Sequence, residues 1–428
     1  MRFSYVTETC LAPAIGDGGL SDDAFTRMLM AAAPAQDRLC QLCEADGLPA
    51  LTVVRGDADL AAARTLADDW RGRLEEVVVL GTGGSSLGAQ TVCALAPGDG
   101  PRLHFLDNVD PATLAALQAR LDPRRCGLLL VSKSGGTAET LAQALVLLPA
   151  FAAALGEERL PRHAAVITEP GARPLGEIAA RHGLPRLDHH PDIGGRFSVF
   201  SIVGALPALL AGLDVAALRR GAAEVLEAAV GAERIESCEP AVGAAIAVGL
   251  LQEQGIGQSV FMTYRDALAD LGLWFRQLWA ESLGKDGTGL TPLRALGTAD
   301  HHSQLQLYLA GPRDKMFTLV MPGTAGQGPR MDSELAAAAG AEALAGRRLG
   351  DLLDASARAT AETLVRAGRP VRRIEVPTLD EAALGALMMH FMLETVIAAD
   401  LLGVNAFDQP AVEAGKVLTR QYLAEARP

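Results

Sequence analysis

Apolar residues along this chain fall into short unbroken runs separated by stretches of helical period. Between 75 and 190 the runs are VVVL at 77–80, LHFL at 103–106, LLLVS at 128–132 and AAVIT at 164–168, with a short return near Leu187. Each has the length of a strand, and strands that alternate with helices predict βαβ units and a parallel sheet covered on both faces. A second alternating region holds SVFMTY at 259–264, a helix through about 285, MFTLVM at 316–321, helical stretches to about 366 and RRIEV at 372–376. Two α/β domains are the simplest account. The stretch 214–240 has a helical period and bridges them. From 379 onward the chain reads as mostly helical, interrupted at NAFDQP, 405–410, where Asn405, Asp408 and Pro410 mark a turn. The longest apolar stretch, 197–213, contains Pro207 and is short for a membrane span, so it reads as a buried core helix. The Ala-rich segment 334–346 reads as a helix with compositional bias, and no internal repeat is visible.

Composition narrows the partners. At 428 residues with 49% hydrophobic and 21% charged, the chain has material for large cores and no long polar tract. A net charge of −13 argues against nucleic acid or an anionic membrane as the main partner, because both call for a basic face. Six scattered cysteines are ordinary usage, and the single C-x-x-C at Cys40–Cys43 lacks a second pair or a histidine at zinc spacing. A reduced, cytoplasmic compartment is expected. MRFSYVTETC lacks the basic-then-apolar order of a signal peptide.

The candidate chemistry begins at two strand–loop–helix units, EEVVVLGTGGSSLGAQTV at 75–92 and GLLLVSKSGGTAETLAQAL at 127–145. Each strand ends in Gly, Ser and Thr before a helix, which gathers hydroxyls and backbone N–H groups at a helix N-terminus where a phosphate is stabilised. The second loop adds Lys133 between Ser132 and Ser134, with Thr137 on the first helical turn. Neither loop has the dinucleotide G-x-G-x-x-G register or the GxxxxGK[ST] nucleotide loop. A tight βα turn with no ligand remains the alternative for either loop alone. Two in tandem point to a phosphorylated small molecule.

Four further segments concentrate polar residues: DIGGRFSVFS at 192–201, RQLWAESLGKDG at 276–287, GTADHHSQLQLYLAGP at 297–312 and NAFDQPAVEAGK at 405–416. Each has a plain reading as well. Arg196 beside two glycines can cap a turn, Glu281 and Lys285 can form a surface i,i+4 pair, adjacent histidines are usually not ligands, and Lys416 can be a solvated helix residue.

Taken in order, GTGGSSLG, SKSGGTAET, GGRFSVFS, QLWAESLGK, DHHSQLQLYLAGP and NAFDQPAVEAGK resemble the glucose-6-phosphate isomerase family over roughly residues 75–420. The resemblance implies two sugar-isomerase domains, each a mainly parallel sheet in an α-β-α sandwich, plus a helical C-terminal segment. It divides the chain into an N-terminal, mostly helical extension at 1–50, a first domain at 51–235, a second at 236–400 and a C-terminal segment at 401–428 that carries Lys416. It further implies interconversion of glucose 6-phosphate and fructose 6-phosphate through a cis-enediol, in glycolysis and gluconeogenesis.

By the same match, Glu281 is the base that moves a proton between C1 and C2, a task that suits a carboxylate in a partly dry site. His302 helps open the sugar ring, Glu139 orients it, and Lys416 acts at the ring or hydroxyl end. Arg196 stabilises the developing enediolate, so no metal and no cofactor is implied. Gly84, Ser85, Ser132, Lys133, Ser134 and Thr137 map onto the phosphate cradle, and Gln277 and Gln409 onto contacts with hydroxyls or phosphate. The family further implies a homodimer whose active site borrows the His302 segment from the neighbouring subunit.

Two departures bear on these expectations. Gly136 stands where the family usually has a hydroxyl residue, and the doubled His301–His302 makes the histidine assignment depend on register; His302 is preferred because it directly precedes SQLQLYL. The chain is compact, like the bacterial members. Competing readings are a sugar-phosphate sensor that keeps the fold without catalysis, and an isomerase of wider specificity that also takes mannose 6-phosphate. A sensor needs the cradle but has no use for Glu281, Arg196, His302 and Lys416 together.

Overall fold

The computed structural model describes residues 2–171 and 173–425. Met1 and residues 426–428, at the outer ends of the expected N- and C-terminal segments, lie outside it. The first strand, β1 (Ser4–Val6), is followed by the long helix Asp22–Glu44, which Ser21 caps by accepting from the Ala24 amide at 3.2 Å. Next come β2 (Glu76–Leu80), β3 (Arg102–Leu106), β4 (Cys126–Val131), β5 (Ala164–Thr168) and β6 (Arg186–Asp188). They form one parallel sheet in the order β3-β2-β4-β5-β6. Val77, Val78, Val79, Leu128, Leu129 and Leu130 are wholly buried, as unbroken apolar strands must be when helices cover both faces of a parallel sheet.

Four more strands, β7 (Gln258–Thr263), β8 (Thr291–Leu296), β9 (Lys315–Pro322) and β10 (Val371–Val376), build the second sheet in the order β1-β10-β9-β7-β8. Its four later strands are parallel, and β1 adds to β10 antiparallel, so the mostly helical N-terminal segment also supplies a strand to a sheet hundreds of residues away. A buried ion pair holds that junction. Arg372 on β10 donates to Glu394 at 2.5 Å, to the Tyr5 hydroxyl on β1 at 2.9 Å and to Thr318 on β9 at 2.6 Å. Contacts from three elements offset part of the cost of burying the guanidinium, although its Nη2 and Glu394 Oε2 have no hydrogen-bond partner among the described residues.

The helix Glu381–Leu401 packs among Val215–Val230, Glu239–Gln254, Ala269–Leu283 and Asp22–Glu44, apolar around its whole circumference and buried along almost all of it, as such a helix must be. Two helices, Ala138–Leu155 and Glu381–Leu401, are long and apolar enough to cross a membrane; the second is a core helix and the first lies over the first sheet with one face exposed. The central helix crosses Val215–Val230 closely because both offer glycine at the crossing. A Cβ at Gly385 would lie 1.9 Å from the Leu218 carbonyl oxygen, and one at Gly221 would lie 1.8 Å from that of Ala382. The expected core helix in 197–213 is Ile202–Leu210, with Ser201 as its cap. Cys40 and Cys43 are free thiols on one face of Asp22–Glu44, and burial pushes the Cys43 thiol up to about 11.

Candidate active site

Strand order locates the crevice. From β2 the chain steps to β3 on one side, then crosses to β4 on the other, so the loops after β2 and β4 part from each other at the C-terminal edge of the sheet. Such switch points are where open α/β sheets bind ligands. The loops concerned are the two Gly/Ser loops singled out in the sequence.

The loop after β2 winds into a short 3-10 turn at Gly83–Ser85, with Gly83 in the left-handed region at φ 56°. Gly84 has no room for a side chain, because a Cβ there would stand 2.2 Å from the Gly195 carbonyl carbon and 2.6 Å from the Arg196 amide nitrogen. Its bareness lets the Arg196 turn seat on the loop. Ser198 fixes the seat by donating to the carbonyls of Gly84 or Gly195, at 3.2 and 2.7 Å. Ser85 is half-buried beside it.

In the second loop, Ser132 and Thr137 share a hydroxyl hydrogen bond of 2.8 Å, and the Ser134 hydroxyl accepts from the Gly136 amide at 3.3 Å. The Lys133 carbonyl accepts from the Glu169 amide and the Thr168 hydroxyl, while the ammonium of this half-buried residue makes no hydrogen bond among the described residues. At Gly136 a Cβ would meet nothing closer than 3.6 Å. The missing hydroxyl there is a chemical departure with no steric cause.

Against the first loop lies the helix Ala269–Leu283, which carries Gln277 and Glu281 one turn apart. Gln277 Nε2 would stand 2.9 Å from a Cβ on Gly83, and it donates to Glu281 Oε1 at 2.9 Å. The other carboxylate oxygen accepts from Arg196 Nη1 at 3.1 Å. Arg196 is almost fully buried, and its Nε donates to Ser282 Oγ at 2.8 Å. Its remaining N–H groups reach the Gln409 side-chain oxygen at 2.7 Å and the carbonyls of Ala406 and Asp408 at 2.6 and 3.0 Å. Five donors meet five acceptors. Burial pulls the Arg196 pKa below its ordinary value, while Glu281 pushes it back, and the group remains a cation at any working pH.

Glu281, Lys285, Asp408 and Gln409 line a cleft of about 890 Å3 between the end of this helix and the turn at 405–412, large enough for a sugar phosphate. Lys285 is not the surface partner of the Glu281 side chain. Its ammonium is drawn instead to the carbonyls of Glu281 and Ser282, at 3.0 and 2.8 Å. Ser282, whose hydroxyl receives Arg196, is an organising residue that the sequence reading passed over; its place in the last turn beside Glu281 was the available signal.

Gly84, Arg196, Gln277, Glu281 and Gln409 are thus in one cluster, with the second loop across the switch point. Three expected residues make no hydrogen bond or ion pair with this cluster among the described residues. Glu139 is half-buried on the first turn of Ala138–Leu155 and makes no hydrogen bond among the described residues. His302 is exposed on the helix Ala299–Ala310, whereas His301 turns inward, 3.3 Å from the Thr360 hydroxyl and lowered in pKa by burial. Lys416 lies on the exposed helix Glu413–Glu425 and pairs with Glu413 at 2.7 Å.

Residues 61–428 match the family model of phosphoglucose isomerase. A glucose-6-phosphate isomerase of Rubrobacter xylanophilus is 43% identical over 368 residues, covering 82% of this chain and 83% of its own length. A solved structure of a hypothetical protein from Thermus thermophilus superposes with a TM-score of 0.88 at 37% identity, over 99% of this chain and 100% of that one. A glucose-6-phosphate isomerase from Chlamydia trachomatis shares the fold, with a TM-score of 0.73 at 20% identity over 88% of this chain and 74% of that one.

Proposed function

The chain belongs to the phosphoglucose isomerase family, and from that premise we propose how its residues divide the reaction. The protein interconverts glucose 6-phosphate and fructose 6-phosphate. Glu281 takes a proton from one of the two reacting carbons and returns it to the other, by way of a cis-enediol. The observation that carries this assignment is the Glu281 carboxylate, held between Arg196 and Gln277 at the wall of a cleft.

Ser85, Ser132, Lys133, Ser134 and Thr137 receive the phosphate, and this anchoring spends binding energy on setting the carbons over the base. Arg196 faces the charge that develops on the enediolate oxygens. With all five donors engaged, it can hydrogen-bond substrate only by releasing a protein acceptor. The Gln409 side chain is the least costly to release, because it is exposed and water can replace its bond. Gln277 and Gln409 then turn to hydroxyls or phosphate. His302 opens the sugar ring, oriented by Glu139, and Lys416 acts at the ring or hydroxyl end.

The exposure of His302, and of a C-terminal helix whose Val417, Leu418, Tyr422 and Leu423 face outward, supports a homodimer in which the His302 segment completes the neighbour's site. A cytoplasmic, glycolytic setting suits free thiols and a phosphorylated substrate.

The test is conversion of fructose 6-phosphate by purified protein in chelator, with an NADP-linked dehydrogenase reporting glucose 6-phosphate. Glu281→Gln should lower kcat by about a thousandfold while substrate binding stays within a few-fold, since proton-transfer groups contribute on the order of 10²–10⁴. Full turnover by that variant would remove Glu281 from the role.

A further inference from the structure

Glu281 sits in the final turn of its helix, where a base is hardest to hold. The last four carbonyls of a helix have no intrahelical partner, and that turn is the first to fray. Position is nevertheless what a proton shuttle between adjacent carbons depends on. An error of about 1 Å in a reacting group costs on the order of a hundredfold in rate.

Lys285 lies two residues past the helix end, and its side chain is 12% exposed. Its ammonium is within hydrogen-bond distance of the Glu281 carbonyl at 3.0 Å, the Ser282 carbonyl at 2.8 Å and the Asn405 carbonyl at 2.5 Å, with the Asp408 carboxylate at 3.3 Å. Three protons therefore face four acceptors, which leaves none for a substrate atom. A cation at a helix C-terminus also opposes the negative end of the helix dipole. Lys285 holds the frayed turn from one side and the 405–408 turn from the other, and Arg196 bridges the same two segments through its own contacts.

We propose that Lys285 is a positioning residue for isomerisation: it locks the backbone of Glu281 and ties it to the turn that carries Gln409, without touching substrate. The inference rests on the reading of Glu281 as the base.

The diagnostic readout is isotopic. While the abstracted proton resides on the carboxylate it can pass to the neighbouring carbon or exchange with solvent. A displaced carboxylate slows the transfer and leaves the exchange unchanged, so glucose 6-phosphate made in heavy water gains more deuterium at C2 per turnover. Damage that merely reduces the number of competent molecules lowers kcat and leaves that content alone.

For Lys285→Met, kcat should fall about tenfold or more with KM within about threefold, and deuterium per turnover should rise, since misplacement acts on the chemical step. Lys285→Arg should recover part of both. Unchanged deuterium content, whatever happens to kcat, would overturn the proposal. Should Lys285→Met fail to fold, Asp408→Asn carries the same test, because it removes one half-exposed carboxylate from the same ammonium; a smaller rise is expected, and no rise overturns the proposal. Inactive wild-type protein would overturn the isomerase reading, and this inference with it.

Discussion

Arg196 shows how one side chain can organise a site before it acts in it. Its five N–H groups join the Glu281 and Ser282 turn to the Ala406–Gln409 turn, and its backbone rests on Gly84. A lysine could keep the charge, but its three donors cannot span those acceptors, so at least two would lose their partner in a buried setting. Arg196→Lys should lower kcat/KM by about a hundredfold, close to 2.7 kcal/mol, the usual cost of a lost oxyanion donor. Steady-state kinetics with fructose 6-phosphate would measure it, and a loss below tenfold would mean that charge alone suffices. Much of this cluster was readable in the sequence, because GGRF and QLWAES are motifs whose polar residues stand out against apolar surroundings. The roles of Ser282 and Lys285 were not readable, since they depend on where the helix stops and on a turn more than a hundred residues downstream.

At the scale of elements, apolar strands identified themselves, including both edges of the first sheet, LHFL in β3 and the return near Leu187 in β6, whereas the two edges of the second sheet did not. AAVIT at 164–168 coincides with β5, and VVVL and MFTLVM fall inside β2 and β9. Missed were β8, whose TPLRAL carries Pro292 and Arg294, and the three-residue β1. Both lie at the ends of their sheet, where a proline is tolerated and no second face of neighbours demands an apolar run. Helix crossings are equally silent in composition. Gly385 and Gly221 look like ordinary weak helix residues, yet each is the only residue type that lets its backbone touch the opposite helix. Gly385→Ala should therefore cost about 3 kcal/mol or more, because the obstacle is a backbone carbonyl that cannot swing away. Gly176→Ala, in the helix Leu175–His182 with nothing within 4 Å of its new methyl, should be neutral or stabilising by about 1 kcal/mol. Thermal melts of the two variants beside the wild type would separate these outcomes, and an unshifted Gly385→Ala would contradict the crossing argument.

Over the whole molecule, the two sheets repeat one strand order, with β8-β7-β9-β10 matching β3-β2-β4-β5. That kinship is invisible in the sequence, because buried strands ask only for apolar residues, and many combinations satisfy them. The two crevices have nevertheless diverged in chemistry. In the second sheet the loop after β9 already donates its Gly326 amide to Asp351 at 2.6 Å, and Asp351 also accepts from Arg348 N at 2.7 Å, bonds that hold its carboxyl below the usual range. An internal carboxylate fills the place where the first sheet keeps Lys133 and its serines open, so one substrate site per chain is expected. The remaining question is which chain completes that site, since His302 is exposed and makes no hydrogen bond with Glu281 among the described residues. Mixing two inactive variants distinguishes the possibilities. In a mixed dimer of Glu281→Gln with His302→Ala, a site shared between subunits would combine the intact Glu281 of one chain with the intact His302 of the other. Half the dimers would be mixed after random reassociation and each would carry one good site, so activity should recover to about a quarter of wild type. A site built within one chain would recover nothing, because every site would then keep the defect of its own subunit. Denaturing the two variants together, refolding them, and assaying fructose 6-phosphate conversion against each variant refolded alone measures the fraction directly.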